Sequence, residues 1–133
     1  MHENDISFNV RKAAFAVHTA LGPGLLESSY EAAMLYELRT AGFEVRTQVG
    51  LPMVYAGQQL DIGYRIDMLV NGKVIVELKS VDSILDVHKK QLLTYLKLSH
   101  CKLGLLINFN VVHVKEGILR IVNGLEESQR TSA

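Results

Sequence analysis

Hydrophobic residues return at helical spacing over residues 6–21. Ile6, Val10, Ala13 or Ala14, Val17 and Leu21 form one stripe, with Arg11 and Lys12 off it. Gly22-Pro23-Gly24 then breaks the chain. A second helix is predicted near 26–41, with Tyr30, Met34 and Leu38 as its stripe and Gly42 at its stop position. Over 44–55 the pattern changes to alternation. Val45, Thr47, Val49, Leu51, Met53 and Tyr55 fall on one face and Arg46 and Gln48 on the other, a strand in which Pro52 favours an edge or a bulge.

Ala56-Gly57-Gln58 reads as a turn, and 60–70 with 73–80 as a hairpin around Asn71-Gly72. Val74-Ile75-Val76 is apolar on both faces, which predicts a central strand. A third helix is expected near 86–99, with Asp86 as N-cap and Leu92, Leu93 and Leu96 facing the core. Strands follow near 102–109, 111–115 and 118–122, and the polar tail after Leu125 is expected to fray. The order is ααβββαβββ. The helix between the strands at 73–80 and 102–109 is a crossover, so those two should be parallel neighbours. This is an α/β (α+β) fold: a mixed sheet with helices packed on it, in one domain spanning 1–133 with its core at about 6–125.

Composition changes this picture little. Hydrophobic residues are 48% and charged residues 21% of 133, an ordinary globular balance. Cys101 is the single cysteine, in an apolar stretch, so no intramolecular disulfide forms and a buried inert thiol is expected. No apolar run is long enough to span a bilayer and no signal pattern follows Met1, so a cytoplasmic protein without membrane contact is expected. Net charge is zero, with four Lys/Arg against six Asp/Glu over residues 1–60 and ten against eight thereafter. That argues against a large electrostatic footprint on nucleic acid; any basic surface is local, around His88, Lys89, Lys90 and Lys97.

The chemistry lies in Arg65-Ile66-Asp67 and Glu77-Leu78-Lys79. Alternation puts Glu77 and Lys79 on one face of the strand and Leu78 on the other. An acid and a base within an apolar strand need a reason. Register supplies a test. A two-residue turn at Asn71-Gly72 would pair 70 with 73 and set Asp67 opposite Val76, so that Glu77 faces away. The two acids meet only if the loop is one residue longer or a bulge intervenes, and that irregularity is expected. Converging carboxylates make an oxygen-rich site suited to Mg²⁺ or Mn²⁺. Asp67 and Glu77 would hold the metal, the main-chain carbonyl of Leu78 could complete its shell, and Lys79 would orient or deprotonate a water or stabilise a pentacoordinate phosphate.

This arrangement resembles the PD-(D/E)XK nuclease superfamily, whose core is a mixed sheet flanked by helices in the restriction-endonuclease-like manner. The motif's proline is replaced, since Ile66 precedes Asp67, a departure many members tolerate. A second resemblance is sharper. Gly24-Leu25-Leu26-Glu27-Ser28-Ser29-Tyr30 is similar to the G-x-x-E-x-x-Y signature of the bacterial GxxExxY family within that superfamily. His18, Leu21-Gly22-Pro23-Gly24, His88, Gln91-Leu92-Leu93, Tyr95-Leu96 and Leu106-Ile107-Asn108-Phe109 extend the likeness over about residues 10–125. The resemblance implies a Mg²⁺-dependent nuclease acting on DNA or RNA. It makes Glu27 the helical acid that completes the site with Asp67 and Glu77, and Tyr30 a neighbour one turn on. Gln91 and Tyr95 match a Gln-x-x-x-Tyr pair that positions a phosphate or holds Lys79, and His18 joins them as a substrate-positioning residue.

Structural readings stand beside these. Asp67, Glu77 and Lys79 could be a cross-strand ion cluster, Tyr30 a core ring, Gln91 and Tyr95 a solvated face plus a core ring, and His18 a satisfied histidine. The alternative function is a non-cleaving, nuclease-like module that binds nucleic acid or a protein, with homo-oligomerisation supplying the surface a short chain lacks. A third is a structural oligomer paired through an apolar edge near Val111 to Val114.

Overall fold

The structure is a computed structural model and describes residues 1–126. The chain order is α1 (Glu3–Leu21), α2 (Glu27–Thr40), β1 (Val45–Gly50), β2 (Met53–Tyr55), β3 (Gln58–Leu60), β4 (Arg65–Val70), β5 (Val74–Lys79), α3 (Asp86–Ser99), β6 (Leu103–Asn108), the 3₁₀ turn η1 (Val114–Gly117) and β7 (Ile118–Val122). The expected tail at 126–133 lies outside the described residues from 127 onward.

One five-stranded sheet runs β1-β4-β5-β6-β7, and β2 and β3 form a separate small hairpin. The β5–β6 pair is parallel and its neighbours antiparallel, so the sheet is mixed, with the crossover helix α3 where the pattern puts it. Burial follows the pleat. Val74, Val76 and Leu78, with Leu103, Leu105 and Ile107, pack under α1 and α2. Ile75 and Leu106 face α3, against Leu92, Tyr95 and Leu96. Gly104 lets α3 close on the sheet, since a Cβ there would lie 2.8 Å from Leu92 Cδ1.

Several expectations need correction. The strand expected over 44–55 divides at Leu51-Pro52 into β1 and β2, and the strand expected from residue 60 begins at Arg65. Leu21 is 42% exposed and leaves the core stripe. Asp86 is the first residue of α3 rather than its cap. The cap is Leu85, whose N–H donates to His88 Nδ1 at 3.0 Å. No strand forms over 111–115, so the proposed pairing edge is absent there; the segment bends into η1. Gly117 seats that turn against the end of β6, where an added Cβ would clash with the Asn108 carbonyl oxygen.

The single-face alternation from Val45 to Tyr55 also fails. Val45 packs under α1 and α2, whereas Val49 and Leu51 join the α3 side. The neighbouring strand does the same: Met68 and Val70 lie under α1 and α2, Ile66 under α3. Residues an even number apart belong on one face of a regular strand. Both strands therefore change face, β1 near Gln48 and β4 at Asp67, while their register stays constant from Val45↔Val70 to Gly50↔Arg65. Gln48 has φ 51°, the left-handed region, which accounts for the turn in β1.

Candidate active site

The hairpin between β4 and β5 pairs Val70 with Val74, Leu69 with Ile75 and Met68 with Val76. Its loop therefore holds Asn71, Gly72 and Lys73, one residue more than the minimal turn. Asn71 and Gly72 take φ 51° and 65°, and the Lys73 N–H donates to the Val70 carbonyl at 3.0 Å. This is the irregularity the two acids require. One step further along the same register, Asp67 comes opposite Glu77.

At that step the backbone ladder stops and the acids take over. The Asp67 N–H donates to Glu77 Oε2 at 2.7 Å, and the Leu78 N–H donates to Asp67 Oδ2 at 2.8 Å. Glu77 is 5% exposed, a buried acid at the end of an apolar strand. Asp67 lines a pocket of about 180 Å³ with Glu27, Ser28, Glu31, Gln48 and Leu78.

Glu27 reaches this place through the start of α2. Its Oε2 accepts the Ser80 N–H at 3.1 Å, and the Ser80 hydroxyl donates to the Leu25 carbonyl at 2.7 Å. Ser80 thus latches the α2 N-terminus to the end of β5. Asn108, opposite Lys79 on β6, holds the next residue. Its Oδ1 accepts the Val81 N–H at 3.1 Å and its Nδ2 donates to the Val81 carbonyl at 3.0 Å.

Burial and mutual repulsion set the charges. Burial pushes the Glu77 carboxyl up to about 8, and the charge of Asp67 pushes the same way; the Asp67 N–H and the Lys79 ammonium oppose them. Burial also raises Asp67, against the Leu78 N–H and Lys79, which favour its ionised form; Glu31 and Glu27 add to the rise. Lys79 is therefore close enough to act on both acids. Tyr95, on α3, is raised chiefly by burial and then by the charges of Glu77 and Asp67. Its ring packs at 5.7 Å from Tyr64.

The remaining residues expected in the site divide. Gln91 is exposed on α3, one turn before Tyr95. Tyr30 is fully buried and stacks on Phe109 at 4.3 Å with the rings 6° from parallel. Its hydroxyl donates to the Gly22 carbonyl at 2.6 Å and accepts the Leu25 N–H at 3.1 Å. Tyr30 pins the loop that carries Glu27, and its hydroxyl is committed to that loop. His18 stacks on Phe109 at 6.4 Å, and its Nε2 donates to the Val111 carbonyl at 2.8 Å. It is a satisfied histidine tying α1 to the segment after β6, and it does not line the acid pocket.

Glu31, Gln48, Ser80 and Asn108 were not assigned to the site from sequence. Glu31 lies four residues after Glu27, a spacing that puts both on one helix face. A lone Asn closing the run Leu103-Gly104-Leu105-Leu106-Ile107 is a comparable signal. Gln48 and Ser80 carry no such mark.

The donor set fits a hard divalent cation in kind: carboxylates on two strands and a helix, two of them raised chiefly by burial, with neighbouring acids adding to the rise. Among the described residues, no three His, Cys, Asp or Glu side chains are already gathered around one ion position. The Glu77 and Glu27 carboxylates rest instead on the Asp67 and Ser80 N–H groups.

Comparison with known proteins accords with the fold. The model of a family described as PD-(D/E)XK nuclease superfamily matches residues 4–121. The solved structure titled "Crystal structure of SSO0001" superposes with a TM-score of 0.52 at 18% identity, covering 91% of this chain and 79% of that one. At that identity the likeness speaks for the fold. A comparison with curated proteins finds no match. Among the described residues no helix is long and apolar enough to cross a membrane. With the family model spanning nearly the whole chain and the acid-x-Lys strand set beside its partner Asp, the chain belongs to the PD-(D/E)XK nuclease superfamily.

Proposed function

We propose that this protein is a divalent-cation-dependent phosphodiesterase that cleaves DNA or RNA, and that it belongs to the GxxExxY branch of its superfamily. The observation that carries the reading is the reciprocal pair: Asp67 and Glu77, half-buried and buried, each bonded to the other's strand beside Lys79. The motif residues of the branch support it as well, because Tyr30 pins the Gly22 to Leu25 loop and Glu27 reaches the end of β5.

Asp67, Glu77 and Glu27 would hold Mg²⁺ or Mn²⁺, with the Leu78 carbonyl completing the shell. The cation would supply charge neutralisation at phosphorus and a more acidic water. Lys79, cationic beside the acids, orients that water or steadies the added negative charge on the phosphate. Tyr95, whose hydroxyl responds to the charges of Glu77 and Asp67, would flank the site from the α3 side. Gln91, exposed one turn before it, stands where a backbone phosphate could be met.

The test is calorimetric titration of Mn²⁺ into wild type and Asp67→Ala at low salt, followed by a screen of DNA and RNA substrates. Binding is expected in wild type and absent in the variant. Cleavage is expected to disappear in folded Asp67→Ala, Glu77→Ala and Lys79→Ala. If all three cut like wild type, the assignment fails. If wild type neither binds Mn²⁺ nor cleaves, a non-cleaving module that binds nucleic acid or a protein replaces it.

A further inference from the structure

Four non-glycine residues among those described have positive φ: Gln48, Ala56, Asn71 and His100. Three have an ordinary local reason. Ala56 and Asn71 precede glycine in hairpin turns, and His100 caps α3. Gln48 alone of these sits inside a strand, at φ 51°. A branched-free but bulky side chain gains nothing from that conformation, and a β-strand does not need it.

Its position is specific. The constant β1–β4 register puts Gln48 opposite Asp67, and it is at these two residues that both strands change face. The pairing itself lapses there, being present at Thr47↔Met68 and Val49↔Ile66 on either side. The Gln48 side chain lies in the wall of the acid pocket, and its Nε2 donates to Glu31 Oε1 at 3.1 Å. A regular strand would have carried the residue past the pocket with the alternation intact.

We infer that Gln48 is a positioning residue for the cation site: its left-handed backbone turns β1 so that its carboxamide fixes Glu31 in the pocket wall facing Asp67. This rests on the cation site proposed above. Glu31, so held, would act on the cation indirectly, as a fixed acceptor in the pocket wall that orients what Asp67 and Glu27 would hold. Groups placed this way act on metal affinity through the ligands they orient.

The test uses Gln48→Gly, which accepts the same φ and removes the amide. The variant is expected to have a Tm equal to or above wild type without metal, because glycine carries no strain there. Its Mn²⁺ affinity by calorimetry is expected to fall by about tenfold or more. Glu31→Ala should lower affinity comparably, and the double variant should be no worse than the worse single one, since both act through one contact. Gln48→Gly with unchanged Mn²⁺ affinity, or additive losses in the double variant, overturns the inference and leaves the cation site standing. A marked fall in metal-free Tm also overturns it, because the conformation would then serve stability. A wild type that binds no Mn²⁺ overturns the cation site and this inference with it.

Discussion

Asp67 and Glu77 hold each other's strands: the Asp67 N–H donates to Glu77 Oε2 at 2.7 Å, and the Leu78 N–H donates to Asp67 Oδ2 at 2.8 Å. Two carboxylates thus replace a rung of backbone pairing, which satisfies the amides but sets two acids side by side. Glu77→Gln keeps an acceptor for the Asp67 N–H and removes one charge. In EDTA above pH 8 the variant is expected to be more stable than wild type by about 1–3 kcal/mol in urea unfolding. Mn²⁺ should no longer stabilise it. A variant less stable than wild type under those conditions would contradict the charge conflict.

Burial, with the same conflict behind it, sets a pH dependence. The Glu77 carboxyl is pushed from 4.5 to about 8 in the folded protein, so between those values the native state holds a proton the unfolded chain has lost. Stability linked to Glu77 is then full below 4.5 and falls as pH rises through about 8. The raised carboxyl of Asp67 acts in the same direction. Tm of the metal-free protein should be lower at pH 9 than at pH 5.5, by a loss on the order of a few kcal/mol, and excess Mn²⁺ should narrow the gap. A Tm that rises over this interval would refute it.

Lys79 favours the ionised form of both acids. Lys79→Met should therefore shift the metal-free pH transition upward and lower cleavage by about 100-fold or more. Mn²⁺ binding should persist, because no metal donor is removed. Parallel loss of binding and cleavage would instead make Lys79 part of the site's assembly.

Tyr30→Phe removes a hydroxyl that bonds the Gly22 carbonyl and the Leu25 N–H while keeping the ring on Phe109. A stability loss of about 1–2 kcal/mol is expected. Mn²⁺ affinity should fall modestly, unlike the loss in Asp67→Ala. Complete loss of binding with an unchanged Tm would mean that Tyr30 acts at the site directly.

The sequence is most informative where packing repeats a simple period. The stripes of α1 to α3, the central apolar β5 and the parallel β5–β6 pair all follow from it. Even the extra loop residue is demanded by the need to bring Asp67 and Glu77 together. What escaped depends on single backbone angles and contacts distant in sequence. The polar–apolar alternation over 45–55 looks regular, yet one residue with φ 51° sends Val49 to the opposite face from Val45. Tyr30 and His18 are aromatic neighbours in a motif, but Phe109, which stacks with both, is far along the chain. Local spacing cannot report such a stack.

The Ser80 latch has a consequence for how the molecule comes to exist. Asp67 and Glu77 share a hairpin and can meet early, since little chain must be closed between them. Glu27 joins through a contact 53 residues away, and Leu25 through one 55 residues away. Closing those long loops costs more chain entropy than closing the hairpin, so these contacts are expected to form after it. A site assembled this way is whole only when α2 sits on the sheet, so its geometry reports on the entire fold and not on the hairpin alone.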